Sequence, residues 1–229
     1  MIKPPGYPNI TVLICALNEA SNLPSVLPRI PEWVDEVLLV DGHSTDRTVE
    51  IARELFPKVS ILYQPGTGKG NALKYGFKHA QGDIIVTLDA DGATDPEEIR
   101  KFIEPLLNGY DFAKGTRFLN RHSLKMPLHR RFGNRVLATT ANILYGTKYT
   151  DICSGYNAFW KESLGRVNLL SNGFEMEQEM NVKIKKAGLR VIEVPCSNNR
   201  GRITGGSKVA IWRQGLKDLL TIIRERFRD

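Results

Sequence analysis

Short apolar runs divide the first part of the chain at regular intervals. Ile10-Thr-Val-Leu-Ile-Cys-Ala16, Glu36-Val-Leu-Leu-Val-Asp41, Val59-Ser-Ile-Leu-Tyr63 and Ile84-Ile-Val-Thr-Leu88 are rich in β-branched residues. Each reads as a buried strand bounded by polar turns. Between them lie segments of helical period. One carries Leu23, Val26, Leu27 and Ile30, and a second runs from Arg47 to Leu55 with Ser44 or Thr45 as its cap. A third opens at Gly66-Thr-Gly-Lys-Gly70 and turns Ala72, Leu73 and Phe77 inward. Alternating strands and helices with short links predict a parallel sheet with right-handed crossovers.

The second half is less regular. Asp95-Pro-Glu-Glu98 starts a helix, with proline in its first turn and acids at the positive end of its dipole. Phe112 to Arg117 reads as a strand leaving the sheet, and a helix follows from about Leu128 to Leu144. Gly155 to Trp160 returns as a strand, Phe174 to Ala187 is a helix stopped by Gly188, and Arg190 to Val194 is another strand. Ser197 to Ser207 is a polar loop rich in Gly and Arg. A last amphipathic helix from Lys208 to Phe227 carries Trp212, Leu216, Leu219, Leu220 and Ile223 at helical spacing. The predicted class is α/β, a mostly parallel sheet flanked by helices, in one domain over residues 1–229.

Composition narrows the setting. With 229 residues, 41% hydrophobic and 25% charged, the chain can bury one sizeable core. No run approaches the roughly 18 apolar residues of a membrane span. The lead-in Met1-Ile-Lys-Pro-Pro-Gly-Tyr-Pro lacks the apolar core of a signal peptide. Cys15, Cys153 and Cys196 are widely spaced and show no zinc pattern, which suits a reducing cytosol. The net charge of +7 is uneven. Between Asp111 and Asp151 there is no acid at all, but there are Lys114, Arg117, Arg121, Lys125, Arg130, Arg131, Arg135 and Lys148. Such a segment favours an anionic partner: phosphate, membrane headgroup or nucleic acid. Nucleic acid ranks last, because the segment lacks aromatic stacking density.

Candidate chemistry gathers at the strand ends. Asn18 and Glu19 follow the first strand, Asp41 the second, Gly66-Thr-Gly-Lys-Gly70 the third, and Asp89 and Asp91 the fourth. In a parallel sheet these carboxyl ends share one rim, where open α/β sheets bind ligands. Hard carboxylate oxygens at Asp89 and Asp91 suit Mg²⁺ or Mn²⁺, with phosphate oxygens completing the shell. Asp41 or Glu19 can accept hydrogen bonds from a nucleobase or ribose. The glycines let backbone approach a ligand, and Lys69 adds positive charge. The glycine loop is not a P-loop, since the spacing before Gly-Lys-Ser/Thr is absent.

In order along the chain, Ile10-Thr-Val-Leu-Ile-Cys-Ala-Leu-Asn-Glu, Val40-Asp-Gly-His-Ser-Thr-Asp-Arg-Thr, Gly68-Lys-Gly-Asn-Ala-Leu and Leu88-Asp-Ala-Asp-Gly resemble the signatures of family 2 glycosyltransferases with the GT-A fold. Gly115-Thr-Arg, Asp151-Ile-Cys-Ser-Gly-Tyr-Asn-Ala-Phe, Gly173-Phe-Glu-Met-Glu and Glu193-Val-Pro are similar to the polyprenyl-phosphate (dolichyl-phosphate) sugar synthase branch. The resemblance spans about residues 10–208. It implies inverting transfer of a sugar from a nucleotide sugar. Residues 1–95 would form the nucleotide-sugar half, 96–207 the acceptor half and 208–229 the C-terminal helix.

Carried over, the resemblance implies that Ala16, Asn18, Glu19 and Asp41 hold the nucleoside. Asp89 then helps bind it, and Asp91 coordinates a metal on the diphosphate, with Asp89 beside it. There are departures. Cys15 stands where the family often has Pro, Gly42 where many members have Asp, and Ala93 near where some lipid-phosphate synthases supply Gln.

The nucleophile separates two acceptors. A sugar hydroxyl needs a general base, for which Glu175 or Glu177 would serve. A lipid phosphate is already ionised and needs charge neutralisation, which the acid-free segment supplies. Arg117 and Arg131 are expected to clamp that phosphate with forked guanidinium geometry. Arg130, Ser154, Arg202, Ser207 and Lys208 are further acceptor candidates. The leading expectation is hexosyl transfer to polyprenyl phosphate with Mg²⁺ or Mn²⁺. The C-terminal helix either docks on the domain or lies at the cytoplasmic face of a membrane as a peripheral anchor. A non-catalytic subunit that binds nucleotide sugar or anchors a membrane partner is the non-enzyme alternative.

Overall fold

The computed structural model describes residues 3, 6–119, 126–197 and 210–228. Seven strands form one sheet in the order β3-β2-β1-β4-β6-β5-β7. They are β1 (Ile10–Ala16), β2 (Glu36–Asp41), β3 (Ser60–Tyr63), β4 (Ile84–Asp89), β5 (Phe112–Thr116), β6 (Asn157–Trp160) and β7 (Val191–Pro195). The helices are α1 (Thr48–Leu55), α2 (Lys69–His79), α3 (Ile99–Leu107), α4 (Leu128–Tyr145), α5 (Lys161–Leu164), α6 (Met176–Lys186) and α7 (Ile211–Arg224).

The alternation of β1 explains the layers. Ile10, Val12, Ile14 and Ala16 point to one face and pack with Leu23, Leu27, Ala52, Phe102 and Ile103. Leu13 points to the other and packs with Leu73, Phe77, Met176 and Met180. The buried central strands thus lie between α1 and α3 on one side and α2 and α6 on the other. A third cluster joins α4, α6 and α7 through Leu137, Ala141, Val182 and Ile222.

The sheet is mostly parallel, as expected, with β6 antiparallel to both β4 and β5. Other expectations are corrected. Strand β5 does not leave the sheet: it lies between β6 and β7 and is buried throughout. The segment around Leu23–Ile30 is not one helix. It forms two 3₁₀ turns, Leu23–Ser25 and Leu27–Arg29, each with proline just inside its start, because Pro24 and Pro28 cannot donate the bonds of a continuous helix. Neither Ser44 nor Thr45 caps α1. Asp46 does that work instead, accepting from Thr48 N at 3.0 Å. The helix at Asp95 begins as a 3₁₀ turn over Pro96–Glu98 before α3, and Asp95 Oδ1 accepts from Glu97 N at 3.0 Å.

Candidate active site

The parallel strands β2, β1 and β4 end side by side, with Ala16 registered against Asp41 and Cys15 against Asp89. Asp41 is buried, and its carboxylate turns back on its own loop. Its Oδ1 accepts from Ser44 Oγ at 2.6 Å and its Oδ2 from Ser44 N at 2.9 Å. Ser44 Oγ in turn accepts from Asn18 N at 2.9 Å, and Asn18 Oδ1 accepts from Thr45 N at 2.7 Å. Asn18 holds a left-handed backbone, φ 52°, which asparagine tolerates better than most residues. Glu19 is buried beside it and accepts from Asn22 Nδ2 at 2.6 Å. These residues make the first two rim loops one hydrogen-bonded unit.

The glycines of the third loop serve a close approach within the chain itself. A Cβ at Gly68 (φ 92°) would stand 2.4 Å from the carbonyl oxygen of Asn172, and one at Gly70 would stand 2.7 Å from Met176 Cβ. The first amides of α2 are spoken for. Gly70 N donates to Gly173 O at 3.1 Å and Asn71 N to Asn172 O at 3.0 Å. Where a ligand was expected against the glycines, the segment before α6 lies there.

That contact brings Lys69 to the carboxylates. Its Nζ lies 2.6 Å from Asp89 Oδ1 and 2.8 Å from Glu177 Oε1. Burial works against its charge, but Asp89 and Glu177 outweigh it and raise the ammonium well above the usual lysine range. Gly155 approaches from the other side, where a Cβ would meet Asp89 Oδ2 at 2.7 Å. Asp91 follows one turn later, its Oδ1 accepting from Ala93 N at 3.0 Å, and Gly92 takes the positive φ of 75° that the turn needs. Among the described residues no three His, Cys, Asp or Glu converge into a closed metal site. The carboxylate oxygens of Asp89 and Asp91 are hard donors of the kind a divalent cation accepts, and two of them would leave the rest of its shell to other oxygens.

The basic segment is only partly a surface. Lys114 is fully buried in β5, where burial lowers its pKa, and its Nζ donates to the carbonyl of Ser154 at 3.1 Å. Arg117 binds Asp151 twice, Nε to Oδ2 at 2.6 Å and Nη2 to Oδ1 at 2.9 Å. Ser154 is buried, Arg130 is exposed and Arg131 is half-buried, both arginines in the first turn of α4. Arg202, Ser207 and Lys208 lie outside the described residues.

A groove of about 480 Å³ runs between α4 and α7. Phe132, Val136, Trp212 and Leu216 form its walls, and Arg117, Arg130, Cys153 and Asp218 also line it. The segment Asp151–Gly155 touches Arg117 at one end and Asp89 at the other. It joins the groove to the rim within four peptide steps, about 14 Å at full stretch.

Residues 11–167 match Glycosyl transferase family 2. The chain is a family 2 glycosyltransferase. It is 35% identical over 81% of its length to glycosyltransferase AglJ of Haloferax volcanii, of which it covers 61%. It is 34% identical over 81% of its length to the dolichol-phosphate mannosyltransferase of Pyrococcus furiosus, covering 55% of that protein. The glycosyltransferase thus spans little more than half the length of both relatives. Another relative, the undecaprenyl-phosphate mannosyltransferase of Micrococcus luteus, is 29% identical over 90% of this chain and 94% of its own. The polyprenyl-phosphate sugar synthase branch is therefore represented among its relatives. The fold is GT-A: the glucosyl-3-phosphoglycerate synthase of Mycobacterium tuberculosis, solved with Mg²⁺ and uridine diphosphate, aligns with TM-score 0.73 at 20% identity over 96% of this chain and 79% of that one.

Two features of the glycosyltransferase site escaped the sequence reading. The pairing of Lys69 with Glu177 joins helices far apart in the chain, and only the run of glycines facing a second Gly-containing loop hinted at it. Asp218 of α7 is buried near Glu175 and Glu177, and Gln214 Nε2 donates to it at 2.7 Å. An acid on the polar side of an amphipathic helix carries no signal of burial.

Proposed function

We propose that this glycosyltransferase moves a sugar, with inversion, from a nucleotide-diphosphate sugar to a polyprenyl phosphate. The observation that carries the reading is the segment Asp151–Gly155. It connects a carboxylate rim suited to a donor diphosphate with an apolar groove that has arginines along it. An acceptor with an anionic head and a hydrocarbon tail matches that groove, whereas a soluble sugar has no use for walls of Phe132, Trp212 and Leu216. Relatives named for dolichyl- and undecaprenyl-phosphate transfer support the same acceptor.

In this reading the unit formed by Ala16, Asn18, Glu19 and Asp41 receives the nucleoside. Asp89 and Asp91 hold a divalent cation, Mg²⁺ or Mn²⁺, which when bound neutralises charge on the departing nucleoside diphosphate. Lys69 lies where it can meet a diphosphate oxygen. Arg117 keeps further N–H donors beyond the two it gives Asp151, and with Arg130 and Arg131 it neutralises the acceptor phosphate. The phosphate is ionised, so no side chain has to remove a proton. Glu177, already bonded to Lys69, is then free of the role of base.

The groove opens among exposed apolar residues. Trp212 is 83% exposed, Phe227 82%, Leu128 77% and Phe132 69%. Leu219 and Ile222 hold α7 against the domain, so the remaining apolar face of α7 continues that of α4. With Arg213, Lys217, Arg130 and Arg135 around it, this face suits an anionic membrane surface as a peripheral contact. Among the described residues no helix is long and apolar enough to cross a membrane.

Incubation with a panel of labelled nucleotide sugars and polyprenyl phosphate tests the reading. Label is expected in the organic phase with one donor and only with a divalent cation. Label appearing solely on a water-soluble sugar would replace this acceptor with a hydroxyl.

A further inference from the structure

Lys69 already occupies the side of Asp89 that faces α6. Its ammonium is 2.6 Å from Asp89 Oδ1 and 2.8 Å from Glu177 Oε1, and 5.7 Å from the centre of the Phe174 ring. Its side chain is only 16% exposed. The helix that carries Lys69 is tied down at its start, where the amides of Gly70 and Asn71 are bonded to the carbonyls of Gly173 and Asn172. No Cβ fits at Gly68 or Gly70 to loosen that junction.

The charges around this ammonium set a condition on what can join it. Lys69 places a positive charge between Asp89 and Glu177. A divalent cation arriving alone at Asp89 and Asp91 would meet that charge at close range, in a partly water-excluded site where repulsion is poorly screened. A diphosphate changes the balance. It gives the divalent cation oxygen ligands, and it gives Lys69 an anionic partner in place of the carboxylate the cation takes over.

Building on the donor-site reading above, we infer that Lys69 is a resident counter-cation of Asp89 and makes divalent-cation binding conditional on a nucleoside diphosphate. The protein without donor is not preloaded with metal. Metal and diphosphate enter as a pair, and Lys69 is a positioning residue that moves its partnership from Asp89 to the phosphate. A lysine with a merely structural role predicts something different: its loss would weaken both ligands together.

The test uses the full chain, with Mn²⁺, uridine diphosphate and guanosine diphosphate as probes. Mn²⁺ binding is followed by electron paramagnetic resonance with and without each diphosphate. Diphosphate binding in chelator is followed by calorimetry. Lys69→Met is expected to tighten Mn²⁺ binding alone by about tenfold or more and to weaken metal-free diphosphate binding by a similar factor. Lys69→Arg, which keeps the charge, should stay near the wild type in both. Lys69→Gln supplies the neutral side chain if the methionine variant does not fold. Opposite movement of the two affinities is the expected signature. Affinities that fall together, or a wild type that binds Mn²⁺ equally well without diphosphate, would overturn the inference and leave the donor site intact. Failure of either diphosphate to bind with Mn²⁺ present would remove the donor-site reading and this inference with it.

Discussion

Arg117 holds Asp151 with two parallel bonds, and Asp151 is completely buried. Its carboxylate also accepts from the backbone N–H groups of Arg117 and Cys153 at 3.1 Å each. Burial alone would raise the Asp151 pKa, but the Arg117 guanidinium overcomes it and holds the group below the usual carboxylate range. The ion pair fixes the loop that runs on to Gly155 and Asp89. Arg117 thus has a structural role beside the acceptor-binding role proposed for it, and a test has to separate the two.

Arg117→Ala leaves a buried carboxylate without its partner, and a loss of about 3–5 kcal/mol is expected in chemical denaturation. The folded-state pKa of Asp151 is depressed, so the pair's stability is present above the ordinary aspartate range and lost as pH falls from there through the lower folded-state value. Denaturation at descending pH should show a shallower acid limb in Arg117→Ala than in the wild type. Arg117→Lys keeps the charge and loses the fork. It should retain more stability than the alanine variant and still raise the KM for polyprenyl phosphate about tenfold. A lysine variant with unchanged KM would confine Arg117 to structure.

Glycine positions on the two sides of the molecule predict opposite signs. At Gly70 a methyl group would meet Met176 Cβ at 2.7 Å and the Gly173 carbonyl at 2.8 Å, so backbone has to move. Gly70→Ala should cost about 1–3 kcal/mol and weaken diphosphate binding, because Lys69 is the next residue. Gly215 lies inside α7 with open space where its Cβ would be. Gly215→Ala should add about 0.5–1 kcal/mol through helix propensity. Paired urea denaturations check both; a destabilised Gly215→Ala would mean that the helix has a neighbour on that face.

The membrane contact proposed for α4 and α7 has its own readout. Phe132 and Trp212 are exposed walls of the groove, so charges placed there leave the core untouched. Phe132→Glu with Trp212→Glu should reduce sedimentation with anionic phospholipid vesicles at least about fivefold while the unfolding midpoint stays constant. Undiminished vesicle binding in a folded double variant would remove this face from the interface.

The parts of the fold that can be read without the structure are those where one local signal dominates. The bounds of β1 and β2 follow from continuous apolar runs ending in Asn18 and Asp41, and the end of α6 from Gly188 with φ 72°. The direction of β6 could not be read, because a strand of four residues carries no mark of its partner's polarity. The apolar spacing of Leu23, Val26, Leu27 and Ile30 points to one helix, but Pro24 and Pro28 lack the donors it would need. Charge misled in the second half. Lys114 lies in a strand buried on both faces, and its cost is met by the Ser154 carbonyl and Asp151, partners that only the folded loop supplies. The rim residues are nameable from strand ends because a parallel sheet aligns them. Their partners are not, since the approach of Gly68 and Gly70 to Asn172 and Gly173 is a tertiary event.

Asp218 makes the last prediction. It is buried on α7, with Gln214 as its hydrogen-bond donor at 2.7 Å. Burial pushes its pKa up to about 6, with the nearby Glu177 and Glu175 adding to the rise and Gln214 and Lys217 opposing it. The folded state thus holds this proton more tightly than the unfolded chain. Its stabilising effect is complete below the unfolded pKa of about 3.9 and is lost as pH rises through about 6. At pH 8 the wild type carries a buried carboxylate beside two other acids, and Asp218→Asn removes that charge while keeping an oxygen for Gln214. The variant should gain roughly 1–2 kcal/mol at pH 8 and much less at pH 5, measured by urea denaturation at both. An equal gain at the two pH values would place the effect in packing rather than in the proton, and a loss at pH 8 would show that the ionised carboxylate is wanted where α7 meets the start of α6.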